Sequence, residues 1–312
     1  MRINSENLTE FKGLPVKDWS GEGPADFGKV VFRLRLEYDE AGEDVSLPSK
    51  LASLLETKGS ERIESLVIGA WDPEDSSAEP TELFEALVSA RDKLPNLRNL
   101  FVGDIMGEEN EISWIQQGDF SPLLAAYDRL EHLTVRGGGN LTFGTLRHDH
   151  LKELIVQTGG LPPSVIHEIG AARLPALEHL ELWLGEPNYG GDATVDDLAP
   201  LLRGDGFPKL RYLGLKDSVI QDEIAGVVAL APILDRLEVL DLSMGTLGDE
   251  GATALLASPA IRKLKKLDLQ HHFISGPVAK QLESLGNEVD LSDEQEPSVW
   301  GGESHRFIAV SE

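Results

Sequence analysis

Cysteine is absent from the chain, so disulfide staples, thiolate metal sites and cysteine nucleophiles are excluded. No run of 18 apolar residues occurs, which leaves nothing of the length a membrane-spanning helix needs. The opening stretch, MRINSENLTEFKGLPVKDW, holds no apolar core of signal-peptide length, and a cytoplasmic location is the expectation that follows. Basic residues are scarce, 28 against 54 acidic ones, for a formal net charge of -26. A field of that sign repels phosphate backbones and anionic bilayers, so neither nucleic acid nor a membrane surface is an expected partner. It steers basic proteins or peptides inward; it also serves plain solubility.

What the chain does have is a hydrophobic fraction of 41%, enough for a packed core, beside 26% charged residues. It also has internal repetition. The phrase LEVLDLS, Leu237 to Ser243, returns as LKKLDLQ, Leu264 to Gln270, with the amphipathic stretch LGDEGATALLAS between them. Strand, helix and the same strand again is how a solenoid repeat is written in sequence.

These phrases resemble leucine-rich repeats, and LGDEGATALL is similar to the ribonuclease-inhibitor-like subtype, in its bacterial stand-alone form. The resemblance implies an α/β solenoid, a horseshoe with a concave parallel sheet and helices on the convex face. Fitted to LxxLxL, the chain offers about ten strands. Their fourth positions fall at Leu34, Leu66, Leu100, Leu133, Leu154, Leu180, Leu213, Leu240, Leu267 and Val289. Side chains alternate along a strand, so positions four and six enter the core while three, five and seven line the concave face.

Apolar residues at helical spacing predict helices over 47–58, 80–93, 193–203 and 221–234. The glycine-rich stretch 137–150 predicts a return by loop, and 104–120 reads as an irregular insertion whose Trp114 and Ile115 are expected to pack inward. Residues 1–28, with Leu8, Phe11, Leu14, Val16 and Trp19, are expected to cap the first repeat; repeats fill 29–292, and 293–312 form a C-terminal tail or cap. The family's turn asparagine is largely missing. Ser218, Gly245 and His272 stand at its place.

Three features fall on the expected concave face. Position five carries an acidic column, Glu181, Asp241, Asp268 and Asp290, interrupted by Gly214, with Lys216 and Lys266 at hand to neutralise it. Position three carries His132, Glu153 and His179, residue types that bind divalent metals. The outer two would stand roughly 9.6 Å apart, twice the strand spacing, so a hydrogen-bonded row is expected and no cofactor. Phe101, Arg136, Gln157, Trp183 and Tyr212 form an exposed aromatic and polar set of the kind that dominates interface hot spots.

No nucleophile elbow or phosphate loop is present, and the histidines at 148, 150, 271 and 272 read as solvent-exposed. The resemblance implies a non-enzymatic protein or peptide interaction module. Its alternatives are a scaffold or accessory subunit of an enzyme complex, and a metal-dependent enzyme at the His132, Glu153 and His179 row.

Overall fold

The computed structural model describes residues 6–21, 26–40 and 45–311, so parts of the cap, at 1–5 and 22–25, lie outside the described residues. The chain divides into two compact units, one ending at Gln157 and the other running from Thr158 to Ser311.

The first unit opens on a small antiparallel hairpin, β1 (Glu10–Phe11) and β2 (Leu14–Asp18). It continues through β3 (Val31–Leu34), α1 (Leu47–Glu56), β4 (Ser65–Ile68), α2 (Thr81–Ser89) and β5 (Asn99–Val102). It closes with α3 (Ser121–Ala126), β6 (His132–Arg136) and β7 (Glu153–Gln157). Strands β2 to β7 pair in parallel in chain order.

The second unit contains α4 (Pro163–Gly170), β8 (His179–Gly185), α5 (Val195–Arg203), β9 (Tyr212–Ser218), α6 (Gln221–Val228) and β10 (Val239–Asp241). It adds α7 (Asp249–Ala257), β11 (Lys266–Asp268), α8 (Gly276–Glu283) and β12 (Glu288–Asp290). A separate antiparallel hairpin, β13 (Ser298–Trp300) and β14 (Glu303–His305), follows. Strands β8 to β12 are again parallel and in chain order.

All ten expected strands form. The register corrects the alignment at the first of them. Phe32, not Leu34, lies opposite Leu66, while Leu34 lies opposite Ile68. The slip is two residues, so inside and outside are unchanged and Leu34 is still fully buried. The remaining core leucines, from Leu66 to Leu267, are 0% exposed wherever position four was assigned.

The predicted helices are shorter than their periodic stretches. Over 80–93 and 221–234, each ends early and passes into a 3-10 turn, at Arg91–Lys93 and Pro232–Arg236. Pro232 fits that break, since it offers no N–H to continue the helix. Helices α3, α4 and α8 lie outside the stretches whose spacing predicts helix. Each is short and carries a proline in its first turn.

Caps connect one repeat to the next. In α1 the capping is local, with Ser46 and Ser49 exchanging side-chain and backbone bonds. Further on, Asp222 of α6 accepts N–H bonds from Gly248 (2.7 Å) and Gly251 (2.9 Å) at the start of α7. Asp249 of α7 then accepts from Ser275 (2.7 Å) ahead of α8. A carboxylate at a helix N-terminus satisfies orphan donors and meets the positive end of the dipole. Here it also fixes each helix against its predecessor.

The glycine-rich return contains no helix, as expected, and it pairs with the irregular insertion. Gln116 bridges to Gly139, and Asp119 to Thr142. Ile115 is buried within this pairing, whereas Trp114 is 55% exposed, against the expectation that both pack inward. Ile115 forms a small cluster with Ala70 and Ile105, against which Trp71 packs.

Candidate functional site

In the first unit much of the helix-free face is already covered. Phe101, Thr134 and Arg136 point to that face, yet they are 4%, 5% and 7% exposed. The chain's own N-terminal segment covers Phe101. Phe11 packs against Val31, Val67 and Phe101, with Leu8, Leu14 and Val16 around it. Its ring meets that of Phe101 edge to face at 6.1 Å. Phe101 and Arg136 are therefore not the exposed pair the sequence suggested. Arg136 lies over the Phe101 ring at 5.1 Å and donates to Gln157 at 3.0 Å.

Beneath the segment lies a polar core that sequence reasoning missed. Arg33 and Asp104 form a buried pair at 2.7 Å, and Arg33 also binds Asp18 at 2.6 Å. Arg35 reaches Asn7 at 2.6 Å and Glu109 at 2.5 Å. The available hint was the alternation RLRL at 33–36, which places two arginines on the non-core side of an early strand.

The position-three row does not assemble as a metal site. Glu153 is held by Lys12 at 2.5 Å, with the His132 ring 3.5 Å away. Burial works to raise the Glu153 carboxyl, but His132 and Lys12 outweigh it and hold its pKa down at about 2. His179 stacks instead on Tyr212, with ring centroids 3.8 Å apart and planes within 6°. Among the described residues no group of three or more histidine and carboxylate side chains could hold a metal ion.

In the second unit the helix-free face is a network of carboxylates around two lysines. Lys216 stands 3.0 Å from Asp241 and 3.8 Å from Glu181; Lys266 stands 2.8 Å from Asp268 and 3.6 Å from Asp290. Gly214 leaves a gap in the acidic column, and a Cβ there would meet Glu181, Tyr212 and Lys216 at 3.2–3.4 Å. Tyr212 fills that gap. Its hydroxyl lies 2.5 Å from Asp241 and 3.2 Å from Glu181.

Trp183 is 3% exposed, which corrects the expectation of an exposed anchor. Its indole N–H donates to Glu181 at 2.7 Å, and its register partner on β9 is Lys216. Strands about 4.8 Å apart let side chains of one face cover each other. Asp241 and Asp268 are buried for the same reason, at 4% and 9% exposure. Burial tends to raise the Glu181 carboxyl, yet His179, Lys216 and Trp183 together hold it below its usual range. The Tyr212 hydroxyl is pushed far up by burial and by both carboxylates, so it stays protonated and donates. Lys216 is opposed by burial but raised by Asp241 and Glu181, so it stays charged. What remains accessible lies toward β12: Asp290 and Gln270 are half-buried, and Glu288 is exposed.

Two of the histidines are structural. His148 accepts N–H bonds at Nδ1 from His150 and Leu151, and its Nε2 meets the Tyr127 carbonyl at 3.0 Å. His272, 2% exposed, accepts from Ile274 and donates to the Leu291 carbonyl. It takes over, at that turn, the work of the missing asparagine.

Parallel strands in chain order, leucine hexads turned inward and helices returning each strand define a leucine-rich-repeat solenoid. The family profile described as Leucine Rich repeat matches residues 237–256. A Bacteroides fragilis protein of known crystal structure is 37% identical, with a TM-score of 0.79, over 86% of this chain and 76% of its own. An internalin from Listeria monocytogenes aligns at 16% identity and a TM-score of 0.37, over 79% of this chain and 71% of its own. No curated protein matches. The chain belongs to the leucine-rich-repeat family.

Proposed function

We propose that the protein is a non-catalytic module that binds a basic protein or peptide on the helix-free face of its second unit, near β12. The observation that carries this reading is the charge count of that face. Glu181, Asp241, Asp268 and Asp290 are set against Lys216 and Lys266 alone, in a chain of net charge -26. Lys216 is shared by Glu181 and Asp241 and Lys266 by Asp268 and Asp290, so the carboxylates outnumber the cations, and at the accessible end Asp290 and Glu288 are left with positive charge for a partner's lysine or arginine to supply. Leucine-rich repeats generally serve recognition, and the parallel strands give such a surface a fixed register.

In the same reading, residues up to 28 cap the first strand and those after 292 close the last turns. Support comes from β2 pairing with β3, and from Val310, buried with its N–H bonded to Asp217 at 3.0 Å. The test is capture of partners from a lysate by the full chain and by an E288K/D290K variant, at low and high salt. A basic protein retained only by the unaltered chain, and released by salt, supports the reading; a captured set indifferent to both changes overturns it.

A further inference from the structure

The contacts of the N-terminal segment read as a recognition site with its ligand in place. Leu8 is held through its backbone. Its N–H donates to both oxygens of Asp104, at 3.1 and 3.2 Å, and its carbonyl accepts from Arg33 at 3.3 Å. Arg33 and Asp104 are themselves paired and buried, so one ion pair reads the N–H and the carbonyl of one residue. The Asn7 side chain donates to the Asp104 carbonyl at 3.0 Å and accepts from Arg35. Three residues after Leu8, Phe11 enters the patch of Val31, Val67 and Phe101. Lys12 then reaches Glu153 and His132 at 2.5 and 3.0 Å.

The turn that presents Lys12 is of the two-residue hairpin kind, with φ of 49° at Lys12 and 78° at Gly13. Asparagine and glycine suit such a turn, and lysine does not. A lysine kept at a left-handed position has its reason in what its ammonium touches. These contacts join residues 7–12 to positions 20 to 141 residues away, and β1 itself is only two residues long.

We propose that Asn7–Lys12 is a tethered, exchangeable ligand. The helix-free face of the first unit is a binding surface for an extended peptide of pattern Leu-x-x-Phe-Lys, and the chain occupies it with its own segment. A partner bearing that pattern binds there by displacing the segment. This surface is separate from the acidic face of the second unit, and its test does not depend on that reading.

The experiment uses a labelled synthetic peptide of residues 6–18, ENLTEFKGLPVKD, titrated by anisotropy against the full-length chain and its F11A/K12A variant. The variant, its own segment loosened, is expected to bind the peptide on the order of 10-fold more tightly than the unaltered chain. A peptide carrying the same two alanines is expected not to bind. Equal binding by both proteins, or none by a folded variant, overturns the proposal. Native-state amide exchange on the unaltered chain gives a second, variant-free arm. The Leu8 amide is expected to exchange on the order of 100-fold faster than those of Phe101 and Thr134, through opening of the segment alone. Exchange of all three at one rate means the segment leaves only when the unit unfolds, and overturns the proposal.

Discussion

Tyr212 sets its hydroxyl 2.5 Å from Asp241 and 3.2 Å from Glu181, bridging carboxylates on the strands to either side of its own. A phenol has one proton to give, and the shorter contact marks Asp241 as the acceptor. Glu181 is satisfied by the Trp183 indole, with Lys216 and His179 nearby. The bridge exists because Gly214 leaves its position on the face empty. Tyr212→Phe keeps the ring and its stacking on His179 but removes a hydrogen bond to a buried charge. The expected cost is about 1.5–3 kcal/mol, read from the midpoint of denaturant unfolding. No loss would mean that Lys216 and the Ser243 N–H satisfy Asp241 without it.

His272 should matter more to stability than a histidine at a strand end ordinarily would. Both ring nitrogens bond backbone groups, one accepting from the buried Ile274 N–H and the other donating to the half-buried Leu291 carbonyl. His272→Ala strands both partners and is expected to cost about 2–3 kcal/mol. His272→Asn, the family's usual residue at this turn, should recover part of that loss. Equal stability of all three proteins would show that the turn does not depend on the side chain.

Acid should loosen the first unit before it touches neutral behaviour. The Glu153 carboxyl titrates at about 2 when folded, against an ordinary value of 4.5. Between those values the unfolded chain binds the proton that the folded chain refuses, so stability rises with pH there. The contribution is full above about 4.5 and is lost as the pH falls toward 2. Glu153→Gln should flatten this part of the stability curve. An unchanged acid limb in that variant would mean other carboxylates set it.

The end of the chain is expected to be held by its charge. Arg306 binds Asp222 at 2.9 Å and the Thr246 carbonyl at 3.0 Å, and Ala309 donates to the Met244 carbonyl at 2.8 Å. Arg306→Ala should speed proteolytic trimming after residue 300 several-fold at low salt, with little change in global unfolding. Trimming at the unaltered rate would place the anchor in Val310 and its bond to Asp217 instead.

The strands and their core were legible because they obey local rules. Leu240, Leu242, Leu267 and Leu269 announce their burial by spacing alone, and even the misread first register kept each side chain on its proper face. Asp222 and Asp249 also stand where helix starts want carboxylates. The candidate site was much less legible. Trp183 and Phe101 were assigned to the outward face correctly, but exposure does not follow from the face a side chain occupies. Phe101 is covered by Phe11, ninety residues earlier, and nothing within either stretch announces that meeting. Arg33, Asp104 and Lys12 escaped notice for the same reason. Lys216 and Lys266 were visible as neutralising partners, since alternation along a strand and the repeat register bring them beside the acidic column.

The most direct measurement of the central claim is salt-dependent capture on the second unit's face. The full chain and its E288K/D290K variant are matched for folding by circular dichroism, then used as bait. The expected result is a basic partner, retained by the unaltered chain at low ionic strength, released at high salt and missed by the variant. A partner held equally by both, or one insensitive to salt, would contradict it.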